Sequence, residues 1–516
     1  MARQQRSVTL LPSETLLKQL LLECRDYLSS EHNHKLEIRF AGGWVRDKLL
    51  GIRSLDIDVA LSSMSGMQFG EALRAFYVSN EAKFKLEAQI RQIPGGFNGP
   101  FKIGRKSEKS KNLETAIINI FGLDVDLVNL RRKSADGQDS QTEFGTPEED
   151  ALLRDATINA LFYNLDKDEV EDFTGKGFYD MAAGIMRTPL DPYQTFMDDP
   201  LRVLRMIRFA SKLGYTIDDA TEKSMRDERV HTALNTKINR QRIGSEAIKL
   251  MKGRNPLTSF QLIHGMGLYP TIFLGSAWDV RRALFNAFPK CQLRAYKLLA
   301  TLLKDDSILG QELAQSEENC ENLWTLAAYA PMAGLRSNPR EAARCMMEAI
   351  KTTAHISKVL EKALQNMDDI VLTVNRTTQE CYTGNLPLST AGVAIRSWGQ
   401  TWRLQVLYSL LAEVAYEESE DCCAQHLDRY SKFMEFVVEQ ELQDAPVRKQ
   451  IITAGEIKEF FELQKSGDFM KGTIDGVLRW QFANKNGSRD DALEWLKMRK
   501  DFFGIPGVGY SRDDGS

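Results

Sequence analysis

No stretch of this 516-residue chain stays apolar long enough to span a bilayer, and no signal-peptide core stands near its start. Neither a membrane-embedded nor a secreted protein is therefore expected. The seven cysteines (Cys24, Cys291, Cys320, Cys345, Cys381, Cys422 and Cys423) include no CxxC pair. An odd, scattered set argues against a structural zinc and against a disulfide framework, and it fits a reducing compartment. The six histidines form no HxxxH pair. Excess positive charge is missing too: the formal net charge is -4 and the pI near 6.0. Without a global cationic field, any nucleic acid must be held by a local patch, which excludes a histone-like or tail-driven binder. Internal repeats and low-complexity tracts are likewise absent.

What remains is ordinary globular composition, 43% hydrophobic and 27% charged. The length is sufficient for more than one domain with sizeable cores. Met1 to Pro12 carries Arg3 and Arg6, and no acid precedes Glu14. That is a weak mitochondrial-like bias, for which a frayed terminus is the plainer reading.

The informative stretch is Arg39-Phe40-Ala41-Gly42-Gly43-Trp44-Val45-Arg46-Asp47, followed by Ser54-Leu55-Asp56-Ile57-Asp58-Val59-Ala60-Leu61. It reads as a strand (Ile38 to Phe40), a glycine turn, a helix (Trp44 to Leu50) and a second strand (Leu55 to Leu61). Side chains alternate along a strand, so Asp56 and Asp58 share one face while Leu55, Ile57 and Val59 take the other into a core. Two carboxylates side by side are costly unless a divalent cation neutralises them, and hard oxygen ligands suit magnesium. Gly42 and Gly43 let the backbone approach an anion at the start of a helix. A metal pair beside a phosphate cradle indicates nucleotide chemistry. Taken singly, two alternating aspartates read as a solvated strand face and a Gly-Gly as a turn; their joint spacing is the specific signal.

GGxVRD followed by SxDID resembles the nucleotidyltransferase superfamily that includes DNA polymerase beta. More closely it resembles the class II branch, the CCA-adding tRNA nucleotidyltransferases and bacterial-type poly(A) polymerases. Further motifs follow in that family's order from about Leu36 to Met251. Leu153-Arg154-Asp155-Ala156-Thr157-Ile158-Asn159 resembles RRDxTxN, whose residues grip ribose and triphosphate. Here Leu153 replaces the first arginine. Glu171 to Thr188, with Asp180, Gly184 and the closing Arg187-Thr188, resembles a short hinge-like connector. Asp198-Asp199-Pro200-Leu201-Arg202-Val203-Leu204-Arg205-Met206-Ile207-Arg208 resembles EDxxR, here DDxxR. Its Asp-Pro start is a helix-capping signature. Leu201, Leu204, Ile207 and Ala210 are placed to pack inward, leaving Arg202, Arg205 and Arg208 on a neighbouring strip. Ile238 to Glu246 resembles the last motif, with Gln241 where glutamate is usual, so the brace on the base-reading helix is in doubt.

The resemblance implies template-independent addition of C, C and A to the 3′ end of tRNA from CTP and ATP. Asp56 and Asp58 would hold Mg2+, with Asp126 a possible third carboxylate. Gly42, Gly43, Arg46, Arg205 and Arg208 would contact the triphosphate. Arg154, Asp155 and Asn159 would hold the sugar, and Asp199 and Arg202 would read the base, with Asp198 orienting them. The alternatives are a bacterial-type poly(A) polymerase and a catalytically dead RNA-binding protein.

The fold implied is α+β: an N-terminal mixed or antiparallel-sheet nucleotidyltransferase head (1–165), followed by an all-α neck (166–255), body (256–380) and tail (381–516). Within the head, Phe84 to Ile93 is expected to continue the sheet, and Leu113 to Arg131 to form a hairpin about Gly122. Asp150 to Tyr163 is read as a helix with Asp155 and Asn159 one turn apart. Beyond Thr188 the strand signals end. Lys102, Arg105, Lys106, Lys109 and Lys111 make a basic segment, read either as a solvated loop or as a mobile loop near the active site. The matches after Met251 are looser and fungal-like. There Arg479, Lys485, Arg489, Lys497, Arg499 and Lys500 are candidate RNA contacts, while Trp398, Trp402 and Trp480 read first as helix-packing residues. A monomer is expected, cytoplasmic with nuclear and mitochondrial pools.

Overall fold

The computed structural model describes residues 8–32, 35–96, 102–104, 115–133, 139–140, 144–277, 280, 284, 288–289, 291–381 and 388–506. The chain divides into two compact units, Met1–Glu246 with Gly265–Leu268, and Ala247–His264 with Tyr269–Ser516. Most of the basic segment after Pro100 and the last ten residues lie outside the described residues, as does the start of the chain.

The first unit opens with α1 (Pro12–His32), β1 (Ile38–Ala41), α2 (Gly43–Leu49), β2 (Asp56–Leu61), α3 (Gly66–Ser79) and α4 (Glu81–Ile90). Then come β3 (Lys102–Gly104), β4 (Thr115–Ile120), β5 (Leu123–Asn129), and the short pair β6 (Arg132–Lys133) and β7 (Asp139–Ser140). After α5 (Pro147–Leu152) and a 3-10 turn at Thr157–Asn159, β8 (Leu161–Asn164) and β9 (Glu169–Asp172) complete the sheet. Its order is β3-β4-β5-β2-β1-β8-β9. Every pairing is antiparallel except β2 with β5. This is the mixed sheet the sequence leads one to expect, hairpin at Gly122 included.

Alternation decides which face is which. Ile38 and Phe40, Ile57, Val59 and Leu61, and Leu123, Val125 and Leu127 point into one core with Leu17, Leu20, Leu21, Phe69, Leu73 and Phe84 from the helices. Burying each such side chain is worth roughly 1.5–3 kcal/mol, so register is strongly held: a one-residue slip would exchange the faces. The other face carries Asp56, Asp58, Asp124 and Asp126, with a small cluster of Ala41, Ala60, Ala160 and Phe162 beside them.

Four local expectations are corrected. Glu81–Ile90 is a helix, not a strand: Ala82, Phe84, Leu86, Ala88 and Ile90 alternate, yet only Phe84 and Ala88 are buried, while Leu86 and Ile90 remain 57% and 66% exposed. Glu, Ala, Lys, Leu and Gln are strong helix formers, and the Lys85–Glu81 pair closes one turn at 2.9 Å. Leu55 lies outside β2 and is 44% exposed, not a core residue. Asp150–Tyr163 is not one helix. A capping box of Thr146 with Glu149 and Pro147 starts α5, which stops at Leu152 so that β8 can pair with β1. Finally, strand does not end at Thr188: β10 (Ile185–Met186) pairs in parallel with β11 (Thr216–Ile217).

Helices α6 (Gly177–Ala183), α7 (Pro192–Asp198), α8 (Arg202–Leu213), α9 (Asp219–Met225), α10 (Glu228–Lys237) and the first half of α11 (Arg240–Met251) finish this unit. On α8, Leu201, Leu204, Ile207 and Ala210 are buried as expected, together with Val203, Met206 and Phe209.

The second unit is helical. The 15-residue helix Trp402–Tyr416 is buried along most of its length and packs with Ala354–Cys381, Gln292–Leu302 and Glu420–Glu439. Ile452, Ile457, Val477, Leu493 and Leu496 form a smaller separate core near the C-terminal end. No described helix is long and apolar enough to cross a membrane.

Candidate active site

The glycine turn and the aspartates meet as their spacing suggests. Gly42 has φ +71°, and a Cβ placed there would lie 2.5 Å from Arg154 Nη1 and 3.5 Å from Asp58 Oδ2. Only glycine combines that backbone with that clearance. At Gly43 the nearest atom to such a Cβ, Arg46 Nη2, is 3.6 Å away, an ordinary contact. Asp56 is exposed and Asp58 half-buried, and parallel register sets Asp124 beside Asp56 and Asp126 beside Asp58. Asn119 Nδ2 donates to Asp124 at 2.7 Å. Among the described residues no three His, Cys, Asp or Glu side chains gather about a common point suited to a metal ion.

Behind the turn, Arg46 is buried and its guanidinium makes three hydrogen bonds to two side chains. Nε and Nη2 donate to Asp47 Oδ1 at 2.8 and 2.6 Å, and Nη1 donates to Asn159 Oδ1 at 2.5 Å. Asn159 Nδ2 in turn donates to Asp155 Oδ1 at 3.0 Å. The two residues expected one helical turn apart are therefore paired, across a turn and a 3-10 segment. Asp155 also accepts from Arg205 Nε at 2.6 Å. Arg154 Nε donates to Asp150 at 3.0 Å, and Nη1 to the Asn159 carbonyl at 3.3 Å. Leu153, at the departed arginine position, is buried, and Arg202 Nη2 donates to its carbonyl at 2.8 Å.

Two carboxylates in this network are electrostatically poised. Burial alone would raise the pKa of Asp155, but Arg205, Asn159 and Arg202 outweigh it and hold the carboxyl at about 2. Burial of Asp150 is likewise outweighed by Arg131 and Arg154, giving about 2. Each depressed pKa contributes on the order of 2 kcal/mol, present above the ordinary carboxylate range and lost as pH falls through it toward 2. Urea midpoints measured from pH 6 to pH 2 should therefore drop below about pH 4. Asp155→Asn should be less stable at pH 6 and lose less on acidification. An acid limb no shallower in Asp155→Asn would show that the network is not the source.

Helix α8 presents the next set. Asp199 Oδ1 accepts from the Leu201 amide at 3.1 Å, the cap its Asp-Pro context suggests, while Oδ2 pairs with Arg242 at 3.5 Å. Asp198 accepts from Gln194 Nε2 at 2.6 Å. Arg208 Nε donates to Glu246 at 2.8 Å. Gln241 is exposed. The brace left in doubt by Gln241 is thus supplied by its neighbours Arg242 and Glu246 on α11. Both lie within the quoted motif, and their i, i+4 spacing was the available signal. Asp150, four residues before Arg154, is a further member that sequence reasoning passed over, as is Phe209, whose ring lies within 6 Å of three arginines.

In the second unit, Trp398 and Trp402 are 1% exposed, and Trp398 Nε1 donates to Asp369 at 2.8 Å. They are packing residues, in line with the plainer expectation. Trp480 is half-buried against Trp495, with ring centroids 6.2 Å apart. Of the candidate RNA contacts, Arg489 pairs with Glu456 at 2.9 Å, Lys485 donates to the Glu439 carbonyl at 3.4 Å, and Arg499 lies 5.0 Å from the Trp495 ring centre. Arg479 and Lys497 are exposed, and Lys500 is half-buried.

A family model described as the poly(A) polymerase head domain matches residues 38–187, the sheet and the connector up to Arg187. The chain is 35% identical to nucleotidyltransferase lcsQ of Purpureocillium lilacinum, covering 97% of this chain and 94% of the relative. It is 34% identical to the mitochondrial CCA tRNA nucleotidyltransferase of Candida glabrata, covering 95% and 96%. Among solved structures, a CCA-adding enzyme in complex with CTP shares the fold at a TM-score of 0.62 and 19% identity, over 96% of this chain and 98% of that one. With the glycine turn, the paired aspartates and the α8 motif in place, the chain belongs to the CCA-adding tRNA nucleotidyltransferases of the polymerase-beta nucleotidyltransferase superfamily.

Proposed function

We propose that this protein adds C, C and A to the 3′ end of tRNA, using CTP and ATP and releasing pyrophosphate. The observation that carries the reading is the junction at Gly42, where the turn leading into Arg46 abuts both Asp58 and Arg154. Asp56 and Asp58 offer hard anionic oxygens on one exposed strand face, a donor set that fits magnesium. Held by Asp56 and Asp58, magnesium would supply Lewis-acid activation of the RNA 3′-hydroxyl and charge neutralisation at the leaving pyrophosphate. The remaining work falls to the chain's own residues. Gly42 and Gly43 let the triphosphate approach the backbone, and Arg46, Arg205 and Arg208 surround it with positive charge. Arg154, Asp155 and Asn159, oriented by one another, hold the sugar. Asp199 and Arg202 meet the base. Magnesium is the cofactor, and tRNA, CTP and ATP are the partners.

The catalytic head is assigned to residues 1–165 with the addition of β9 (Glu169–Asp172), the sheet strand that falls in the segment expected to be all-α; the neck with its base-reading helix follows to 255, the body is 256–380 and the tRNA-binding tail 381–516. The protein is placed in the cytoplasm with nuclear and mitochondrial pools, and relatives named as mitochondrial support the last of these.

A transcript of tRNA lacking CCA, incubated with magnesium and each labelled nucleotide, tests the reading on a sequencing gel. Three successive additions, C, C and A, are expected. Incorporation of ATP alone would point to a poly(A) polymerase, and no magnesium-dependent turnover to an RNA-binding protein without catalysis.

The tail carries its own test. Double charge reversal, Arg479→Glu with Lys497→Glu, should raise the KM for tRNA about tenfold at low salt and by less as salt rises, and leave the KM for CTP unchanged. Arg489 is left out of this pair because its reversal would also break the ion pair with Glu456. An unchanged tRNA constant would return these cations to the solvated surface.

A further inference from the structure

Three guanidiniums converge on one aromatic ring. The Cζ atoms of Arg208, Arg46 and Arg205 lie 4.3, 4.9 and 5.4 Å from the ring centre of Phe209. Arg205 and Arg208 come from the same helix as Phe209, and Arg46 comes from α2, the helix that follows the glycine turn. Phe209 is only 7% exposed, although it stands on the arginine strip of α8.

Three like charges about one ring repel, and each is offset by its own buried carboxylate: Arg46 by Asp47 at 2.6 Å, Arg205 by Asp155 at 2.6 Å, Arg208 by Glu246 at 2.8 Å. The ring adds a different kind of attraction. Its negative face draws cations without carrying charge, so it orders guanidiniums and leaves their positive field intact. A guanidinium set over a ring also keeps its N–H donors in its own plane: those of Arg46 go to Asp47 and Asn159, so it lends charge to the array, while Arg205 and Arg208, less buried, are the pair placed to meet phosphate oxygens. An aliphatic side chain of the same bulk would fill the space and supply none of this.

We propose that Phe209 is a positioning residue for the triphosphate: its ring gathers Arg46, Arg205 and Arg208 across α2 and α8 into one phosphate-binding array. The role rests on reading this site as the nucleotide site. It makes a claim about the ring's electrostatics that packing alone does not.

The test is a fluorination series. Genetic incorporation of 4-fluoro-, 3,5-difluoro- and 3,4,5-trifluorophenylalanine at position 209 of the full chain weakens the negative face stepwise and changes ring shape little. The KM for CTP and for ATP should rise stepwise together, by about fivefold at trifluoro, with the KM for tRNA and the thermal midpoint unchanged. Phe209→Tyr, which keeps the ring face, should retain nucleotide affinity, and Phe209→Leu should lose more than the trifluoro ring does. A flat fluorination series beside normal wild-type turnover overturns the role of Phe209 alone, even if Phe209→Leu is inactive, because loss there would then be packing. A wild-type chain that binds neither CTP nor ATP overturns the nucleotide-site reading and this role with it.

Discussion

Replacing Asp58 with alanine should abolish incorporation of CTP and ATP alike, by about a thousandfold or more, because several kcal/mol of charge stabilisation at the reacting phosphate would go with one carboxylate. Asp56→Ala should behave in the same way. Neither change should unfold the protein. Asp58 is half-buried on a strand whose other face holds Ile57 and Val59 in the core, and that face is untouched by either change. A thermal midpoint close to that of wild type would separate this loss from misfolding. Asp126 stands beside Asp58 in register, so Asp126→Ala decides whether a third carboxylate serves the same site: a loss as deep as that of Asp58→Ala would add it, and activity within about tenfold of wild type would leave it out. Loss of one nucleotide's incorporation with the other intact, in either Asp56→Ala or Asp58→Ala, would defeat the idea of a single site for all three additions.

That pair was legible in the sequence because a strand has a fixed period. Alternation of Asp56, Ile57, Asp58 and Val59 dictates one wet and one dry face whatever the rest of the chain does. The same rule misled at Glu81–Ile90, where alternate apolar residues also occur at i, i+4, and helix propensity decided the outcome at the cost of leaving Leu86 and Ile90 exposed. Contacts between distant segments were less accessible. Spacing located Arg154, Asp155 and Asn159, but not that Arg46 would reach 113 residues along the chain to Asn159. Nor could one sequence show which acids neutralise the α8 arginines, since Asp155 and Glu246 lie 50 and 38 residues from their partners. Tertiary pairing chose those partners. The Gln241 departure looked like a lost brace for the same reason, before Arg242 and Glu246 were seen to supply it.

The remaining large effect concerns how a protein without a template chooses C and A. A carboxylate only accepts hydrogen bonds, so Asp199 can meet the exocyclic amino group that cytosine and adenine share. Uracil presents a carbonyl there, and two acceptors would oppose one another. Each good base contact is worth roughly 1–3 kcal/mol, or about 5- to 150-fold in discrimination. The structure gives Asp199 two other duties, capping Leu201 through Oδ1 and pairing Arg242 through Oδ2, so loss of the side chain would confuse base reading with helix stability. Asp199→Ser keeps a capping oxygen and removes the charge. Asp199→Asn keeps a capping oxygen and the shape, but replaces one acceptor with a donor. Capping is worth about 0.5–2 kcal/mol, and an exposed ion pair at most about 1 kcal/mol, so both variants should melt close to wild type. Under the base-reading mechanism both should lose preference for CTP and ATP over UTP and GTP, and the asparagine, whose amide can donate to a carbonyl, should gain UTP incorporation beyond the serine. If both retain the wild-type preference, Asp199 is a cap and an Arg242 partner only, and selection between bases rests on Arg202 and the walls around it.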